Sequence, residues 1–583
     1  MRKRLKTRLQ LNTIQTLLLL FLFGGLLTAV SLILLPTATS ASLAHFVRNP
    51  ILILLNGLPI WLVMGFLFFA SRNFFVACVP PTLFIFIISF INRNKVFFRD
   101  EPLLPADIFL LQEVRYITVG MELRLGWTLA ALLILFILLI AALAFVKPRK
   151  LMWKVSIPAA CACVLVFGVL LPTVYWNHDY YGRHPVRGSP YRLVDLHNSR
   201  GSVYSFIAFT SRFSVQRPPN FSEQRARDIL ARYAVADEPR DSGHVNVVLV
   251  LGESFSLLSD NPVFLHEHDP LESWHQLAER GVSGEIIVPN FAGGTANTEF
   301  DVLTGLFTQY IRESPSSFWY IRQPFASVVS VLVERGYHAA AMHPGMPWFY
   351  NRQNVYRNLG FHRQYFVEDF FAAGADRDVR FVTDADAFAF LRGVIESRGD
   401  APLLAYLVTI QNHLPYADRF HTGTAGLTST ADFSDAELNE WSNYFRGMQD
   451  AADELLALAE FLDEQPEPFV LVFFSDHLPA FAGGMSMYER LDYDFSAQPE
   501  LQFTVPFLIY ANEAAQPYVS LDGVLPLMSA NYLGQTLLEI LGFERDTAWF
   551  SFLTEHREIY PVLHRGSDAV EFRVLQYYFL RWR

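Results

Sequence analysis

Five stretches without a charged residue, 14–35, 51–70, 74–91, 127–146 and 155–174, crowd into the first 175 of 583 residues. Each approaches the roughly 20 residues that cross a bilayer as a helix. A chain with such a start cannot fold as one water-soluble globule. The first stretch is too long for a signal-peptide core and has no small-residue cleavage site, so it reads as a retained span. Trp61, Trp127, Trp153 and Trp176 lie at or near run ends, where indole prefers the membrane interface.

Charge divides the chain at the same place. Residues 1–175 hold 16 of the 46 Lys and Arg, including all six lysines, but only 5 of the 57 Asp and Glu. The remainder carries 30 basic and 52 acidic residues and repels phosphate backbones, so nucleic acid is excluded as a partner. The basic start and the short loop with Lys147, Arg149, Lys150 and Lys154 place both on the cytoplasmic side. Five spans then carry the C-terminal part outside. Arg93, Lys95, Arg99, Arg115 and Arg124 in the outer loop 92–126 run against this orientation, and its apolar segment 103–114 fits an amphipathic surface helix. No ionisable residue sits within a run, so the spans read as an anchor rather than a transport path. Cys78, Cys161 and Cys163 all fall in apolar runs, so the outer part has no disulfide, thiolate ligand or cysteine nucleophile.

The expected domains are a transmembrane part, 1–175, a juxtamembrane linker, 176–240, and a catalytic part, 241–583. The linker is Arg-rich with Pro218-Pro219, and Ala234-Val235-Ala236 fits either a processing site or a plain helix end. From residue 245 apolar strands (245–251, 403–410, 469–474, 505–510 and, more weakly, 338–342) alternate with helices (324–335, 384–397, 435–462). Thr383 and the Ser434–Glu437 capping box mark two helix starts. The alternation predicts an α/β domain with a mostly parallel sheet, whose sites lie at the carboxyl ends of the strands.

Those ends deliver Glu253, His343, Asn412-His413 and Asp476-His477, a set suited to a divalent cation and an anionic group. The segment Gly293-Gly294-Thr295 precedes a predicted helix over 297–306, whose start suits phosphate. Thr295 fits a nucleophile activated by a metal ion, or simply a helix cap. His266-Glu267-His268-Asp269 has no strand-end support and reads as a solvated turn. A serine-hydrolase elbow fails because Ser256 stands where glycine is required.

The series Gly252-Glu253-Ser254-Phe255, Gly293-Gly294-Thr295-Ala296-Asn297-Thr298-Glu299-Phe300, Phe349-Tyr350-Asn351-Arg352, Asn412-His413-Leu414-Pro415-Tyr416 and Ser475-Asp476-His477 resembles the lipoteichoic acid synthase family. That resemblance implies five transmembrane helices followed by an extracellular domain of alkaline-phosphatase/sulfatase type. It implies Thr295 as nucleophile and Glu253, Asp476, His477 and Thr295 as ligands of one manganese or magnesium ion. His413 and Arg352 would bind the phosphate and glycerol, with His343 and Tyr350 in the pocket. Tyr350 departs from the family's tryptophan. The implied reaction moves glycerol phosphate from phosphatidylglycerol, through a threonine-bound intermediate, to a glycolipid-linked polyglycerolphosphate acceptor. A phosphoglycerol or phosphoethanolamine transferase acting on another envelope glycan or lipid, or an inactive sensing ectodomain, shares the layout. Sulfatase chemistry does not fit, because the nucleophile position is neither cysteine nor serine.

Overall fold

The computed structural model describes residues 9–36, 38–99, 102–105, 107, 125–143, 145–148, 151–188, 193–212, 215, 217–233, 245–311, 316–417, 419–482, 484–495, 497–521, 525–564 and 566–581. The chain divides into two compact units, Met1–Phe213 and Ser214–Arg583.

In the first unit every apolar run folds as a helix. Among the described residues, four helices are long and apolar enough to cross a membrane: Thr13–Ile33, Pro50–Ser71, Phe74–Val96 and Trp153–Tyr175. The expected fifth span is the shorter helix Trp127–Leu143, with 17 residues. It stops early because Val146–Pro148 pairs as a parallel strand with Leu9–Leu11. Trp61 Nε1 donates to the Phe21 carbonyl at 3.0 Å, and Arg72 stacks 3.7 Å above the Trp153 ring.

The expected linker is divided between the two units. The helices Leu193–Arg200 and Ser202–Phe209 belong to the first, and Glu223–Leu230 to the second. Asn56 inside a span explains the former. Its amide donates to the Arg200 carbonyl at 2.8 Å and accepts from the Tyr204 N–H at 3.0 Å. Gly201 sits there at φ 91°, where a Cβ would come within 2.3 Å of that amide. Tyr181, Tyr204 and Phe209 bury their rings together. Glu223–Leu230 packs on the C-terminal helix Val570–Leu580. Segment 103–114 lies mostly, and Ala234-Val235-Ala236 wholly, outside the described residues.

The second unit is built on an eight-stranded sheet. In chain order its strands are β1 (Asn246–Gly252), β2 (Val282–Ile287), β3 (His338–Met342), β4 (Arg363–Tyr365), β5 (Leu403–Val408), β6 (Phe469–Ser475), β7 (Thr504–Ala511) and β8 (Met528–Ser529). Their order across the sheet is β8-β2-β7-β6-β1-β5-β3-β4. β7 alone runs against the others. The strands β1, β5 and β6 are buried along their whole length, as their unbroken apolar sequences require. Two groups of helices cover the sheet. One holds Glu272–Ala278, Asp384–Glu396 and Asp435–Asp463, and the other Thr295–Thr304, Val328–Glu334 and Leu533–Ile540. Thr383 and Ser434 cap their helices as expected.

Candidate metal and phosphate-transfer site

β1 and β6 lie side by side in parallel, with Gly252 opposite Ser475. The next residues, Glu253 and Asp476, therefore leave the sheet together. Their geometry is tight and buried. The Ser254 and His477 amides both donate to Asp476 Oδ1, at 2.8 and 2.9 Å. The Ser254 hydroxyl donates to Glu253 Oε1 at 3.0 Å. Ser254 holds this position with a left-handed backbone, φ 53°, a conformation that costs a non-glycine residue about 1–3 kcal/mol and clusters at functional sites.

The donor atoms of Glu253, Asp476 and His477 all lie within 4.8 Å of one another. His477 Nδ1 faces the Leu478 carbonyl at 3.0 Å, which places a ring proton on Nδ1 and turns Nε2 toward the carboxylates. Nε2 then faces Asp476 Oδ2 at 3.1 Å. Oδ2 is buried and accepts no hydrogen bond. Two buried carboxylates 3.1 and 3.9 Å from one imidazole nitrogen, with an oxygen that accepts no hydrogen bond, form a donor set that a cation can share. Burial, followed by the charge of Asp476, raises the Glu253 carboxyl to about 8. The oxygen and imidazole donors fit a divalent cation.

Thr295 is the first residue of the helix Thr295–Thr304 and is buried. The cap is Gly294, so Thr295 is not the helix cap; its hydroxyl lies inside the first turn. The approach is unusual: Ala292, Gly293 and Gly294 have φ of 58°, 131° and 88°. Three links tie this segment to the metal-type cluster or brace it. Thr298 Oγ1 donates to the Asp476 carbonyl at 2.8 Å, and the Ala292 N–H to the Leu478 carbonyl at 3.2 Å. Asn297 Nδ2 donates to Asn290 Oδ1 at 2.8 Å. Helix-start amides and the dipole suit a phosphoryl group here.

Arg352 opens the helix Arg352–Leu359 after two left-handed residues, Tyr350 (φ 55°) and Asn351 (φ 61°). Its side chain is almost wholly buried and bonds Glu299, with Nε at 3.0 Å and Nη2 at 2.6 Å from Oε1. Nη1 lies 3.1 Å from His343 Nε2. Burial, reinforced by Arg352, holds His343 well below its usual value, so it is neutral and accepts from the guanidinium. The Tyr350 and Phe349 rings stand 5.2 and 5.6 Å from the Arg352 guanidinium carbon. His413 follows strand β5. Its ring packs 5.4 Å from Phe381, and Arg419 donates to its carbonyl.

The Sulfatase family profile matches residues 245–543, just over half of the chain. The chain belongs to the sulfatase family. A Rhizobium meliloti protein provisionally assigned to cyclic beta-1,2-glucan modification is 23% identical over 500 residues, covering 82% of this chain and 75% of its own. Among solved structures, the sulfatase-type unit resembles the Streptococcus pyogenes phosphoglycerol transferase GacH, in complex with sn-glycerol-1-phosphate. The match has a TM-score of 0.50 and 20% identity, over 62% of this chain and 95% of that one. The Neisseria meningitidis lipooligosaccharide phosphoethanolamine transferase EptA, an integral membrane protein, matches with a TM-score of 0.50 and 13% identity, over 91% and 96%. At these identities the two structures show the fold alone.

On that sulfatase frame, the residues singled out from sequence fall into three places. Glu253, Asp476 and His477 form one cluster. Thr295 starts the helix tied to it. Arg352, His343 and Tyr350 form a second wall. His266 and His268 join no buried ligand group: His266 Nε2 contacts the Ser259 carbonyl at 3.1 Å, and Asp269 meets Asp260 and His275 in an exposed group. Sequence reasoning assigned no role to Ser254 and Glu299, although both stand in the motif series, nor to Tyr356 and Tyr406. The one signal available was that Glu299 stands four residues after Thr295, on the same helical face.

Proposed function

We propose that this protein is a membrane-anchored transferase that moves glycerol phosphate from phosphatidylglycerol to a hydroxyl of an envelope glycan. The observation that carries the reading is the buried cluster of Glu253, Asp476 and His477, with donor atoms within 4.8 Å of one another and Asp476 Oδ2 accepting no hydrogen bond. A helix start bearing Thr295 is bonded to the same strand end. The phosphoglycerol transferase among the fold neighbours supports the donor group. The relative provisionally assigned to glucan modification favours a sugar hydroxyl over the lipoteichoic acid chain as acceptor.

In this reading Glu253, Asp476 and His477, completed by Thr295, hold one divalent cation, manganese or magnesium. When bound, the ion supplies Lewis-acid stabilisation of phosphoryl oxygens and acidifies the threonine hydroxyl. The chain's own groups do the rest. The Thr295 hydroxyl gives its proton to solvent and its oxygen attacks phosphorus; the P–O bond to diacylglycerol breaks, and the departing oxygen takes a proton from solvent to leave as the free alcohol. The first-turn amides face the phosphoryl oxygens. Arg352, held in place by His343, orients the glycerol, and His413 stands on the acceptor side. An acceptor hydroxyl then loses its proton and attacks the same phosphorus; the Thr295–phosphorus bond breaks, the threonine oxygen takes up a proton, and the acceptor carries the glycerol phosphate.

The apolar helices, five spans with the N-terminus inside and the sulfatase-type unit outside, hold the site beside lipid and raise the donor's effective concentration. The strongly acidic outer part repels an anionic lipid, so divalent cations and salt are expected to help.

The test uses the full chain in detergent with a fluorescent phosphatidylglycerol, with and without manganese, beside Thr295→Ala. Manganese-dependent release of diacylglycerol that Thr295→Ala abolishes is the expected result. Release from phosphatidylethanolamine alone would replace the donor. Release that survives in Thr295→Ala would remove Thr295 from the mechanism.

A further inference from the structure

The structure assigns Glu299 a role that the reaction scheme leaves out: it is a positioning residue that fixes the Arg352 guanidinium relative to Thr295. The inference rests on the functional reading above and adds to it the group that sets its geometry.

Glu299 is wholly buried, and both of its oxygens are occupied. Oε1 accepts from Arg352 Nε and Nη2 at 3.0 and 2.6 Å. Oε2 accepts from the Tyr356 hydroxyl at 2.6 Å and the Tyr406 hydroxyl at 3.2 Å. The four bonds come from two elements besides its own: the helix Arg352–Leu359 and strand β5. Burial, and then the Glu299 charge, push both phenols well above their usual range, so both remain donors. The order continues outward. Arg352 Nη1 donates to His343 Nε2, and His343 Nδ1 faces the Val408 carbonyl at 3.4 Å. Every proton in this chain has one place to go.

The arrangement spends three of the five guanidinium N–H groups of Arg352 on Glu299 and His343, which fixes the plane and direction of its fork. Glu299 offsets the arginine's charge, so the fork offers direction rather than net charge. Its holder sits on the nucleophile's own helix, one turn from Thr295 and on the same face. Any shift of that helix moves the nucleophile and the guanidinium clamp together. A misplacement of about 1 Å between such groups costs on the order of a hundredfold in rate. Stability alone does not account for the pair. Buried ion pairs are often no better than apolar residues of the same volume, so a four-bond carboxylate beside the nucleophile is better explained by placement.

The experiment compares Glu299→Gln, Glu299→Asp and Tyr356→Phe in the full chain, per mole of folded protein. It reads kcat and KM for phosphatidylglycerol, manganese half-saturation and thermal midpoint. Glu299→Gln is expected to lower kcat/KM about thirtyfold or more, with KM carrying much of the loss. Manganese half-saturation should stay within about twofold, because the metal-type cluster does not touch Glu299. Glu299→Asp, which keeps the charge, should recover part of the loss. Tyr356→Phe, which removes one bond to Oε2, should cost about three- to tenfold with little change in thermal midpoint.

A kcat/KM within threefold of the parent for Glu299→Gln overturns the inference, as does a loss that follows the folded fraction with KM unchanged. If Glu299→Gln does not fold, the double variant Tyr356→Phe/Tyr406→Phe decides, and an unchanged KM overturns it. The same series is run on bis(p-nitrophenyl) phosphate, a plain phosphodiester. A parent protein that cleaves this probe but not phosphatidylglycerol loses its proposed donor, while the effect of Glu299 is still read.

Discussion

Two carboxylate clusters stand at the same end of the sheet and are built in opposite ways. At one, Glu299 meets a guanidinium and two phenols, and every oxygen is satisfied. At the other, Glu253 and Asp476 share one imidazole, and Asp476 Oδ2 accepts no hydrogen bond. Both are fully buried, so solvent cannot explain the contrast. A satisfied buried carboxylate holds its neighbours in place. An unsatisfied pair of carboxylates is unstable until a cation joins it. The first is a scaffold and the second is a binding site, and substitutions should act on them with opposite signs.

The largest effect tests that sign. Asp476→Asn should abolish turnover, by on the order of a thousandfold or more, because a ligand of the proposed cation is lost. The same change should raise the thermal stability of the metal-free chain. Asn keeps the oxygen that accepts from Ser254 and His477, and its Nδ2 can donate to His477 Nε2, 3.1 Å from the position it takes. A gain of about 1–2 kcal/mol is the expected size. Glu299→Gln should do the reverse and lose about 3–5 kcal/mol, since it leaves a buried guanidinium without its partner. Unfolding curves of the chelated proteins read both. Equal losses in the two variants would erase the distinction drawn here.

The next effect is pH dependence. Glu253 has its folded value raised to about 8, against 4.5 in the unfolded chain. Between those values the native metal-free protein holds a proton that the unfolded chain releases. Its stability is therefore greatest below pH 4.5 as far as this group is concerned, and falls as pH rises toward 8. The slope is at most about 1.4 kcal/mol per pH unit. Cation binding must displace that proton, so manganese affinity should climb by up to about tenfold per unit across the same window and level off above it. Calorimetric titration at several pH values checks this. A flat affinity profile would show that Glu253 is already ionised before the cation arrives.

The contrast also explains what could be read from sequence. Glu253, Asp476 and His477 were legible because a strand buried on both faces has no reason to end in a charged residue, and two such strands did so. The parallel sheet followed from unbroken runs such as Val247–Leu251 and Phe469–Phe474, while the reversed direction of β7 left no local trace. Glu299 was hidden for a physical reason. It lies inside a helix whose other residues look ordinary, and its three partners come from positions 53 to 107 residues away. Arg352 read as a ligand group, but nothing local showed that two of its nitrogens are spent on Glu299. The helices 193–209 read as linker because their apolar face is short. Contacts with Asn56, Asn92 and Tyr175 show that they pack on the spans.

The smallest effect isolates one hydrogen bond in the unsatisfied cluster. Ser254→Ala removes the hydroxyl that donates to Glu253 Oε1 but keeps the backbone N–H that donates to Asp476. The left-handed strain at φ 53° is the same for alanine as for serine, so the backbone term cancels. Without that donor the ionised form of Glu253 is less favoured, and its proton is held more tightly. The loss is about 0.5–1.5 kcal/mol, which weakens manganese binding about two- to tenfold near neutral pH. At a pH well above 8 the proton is gone in both proteins, and their affinities should draw together. If the gap between Ser254→Ala and the parent is the same at every pH, the hydroxyl acts on the cation itself rather than through Glu253.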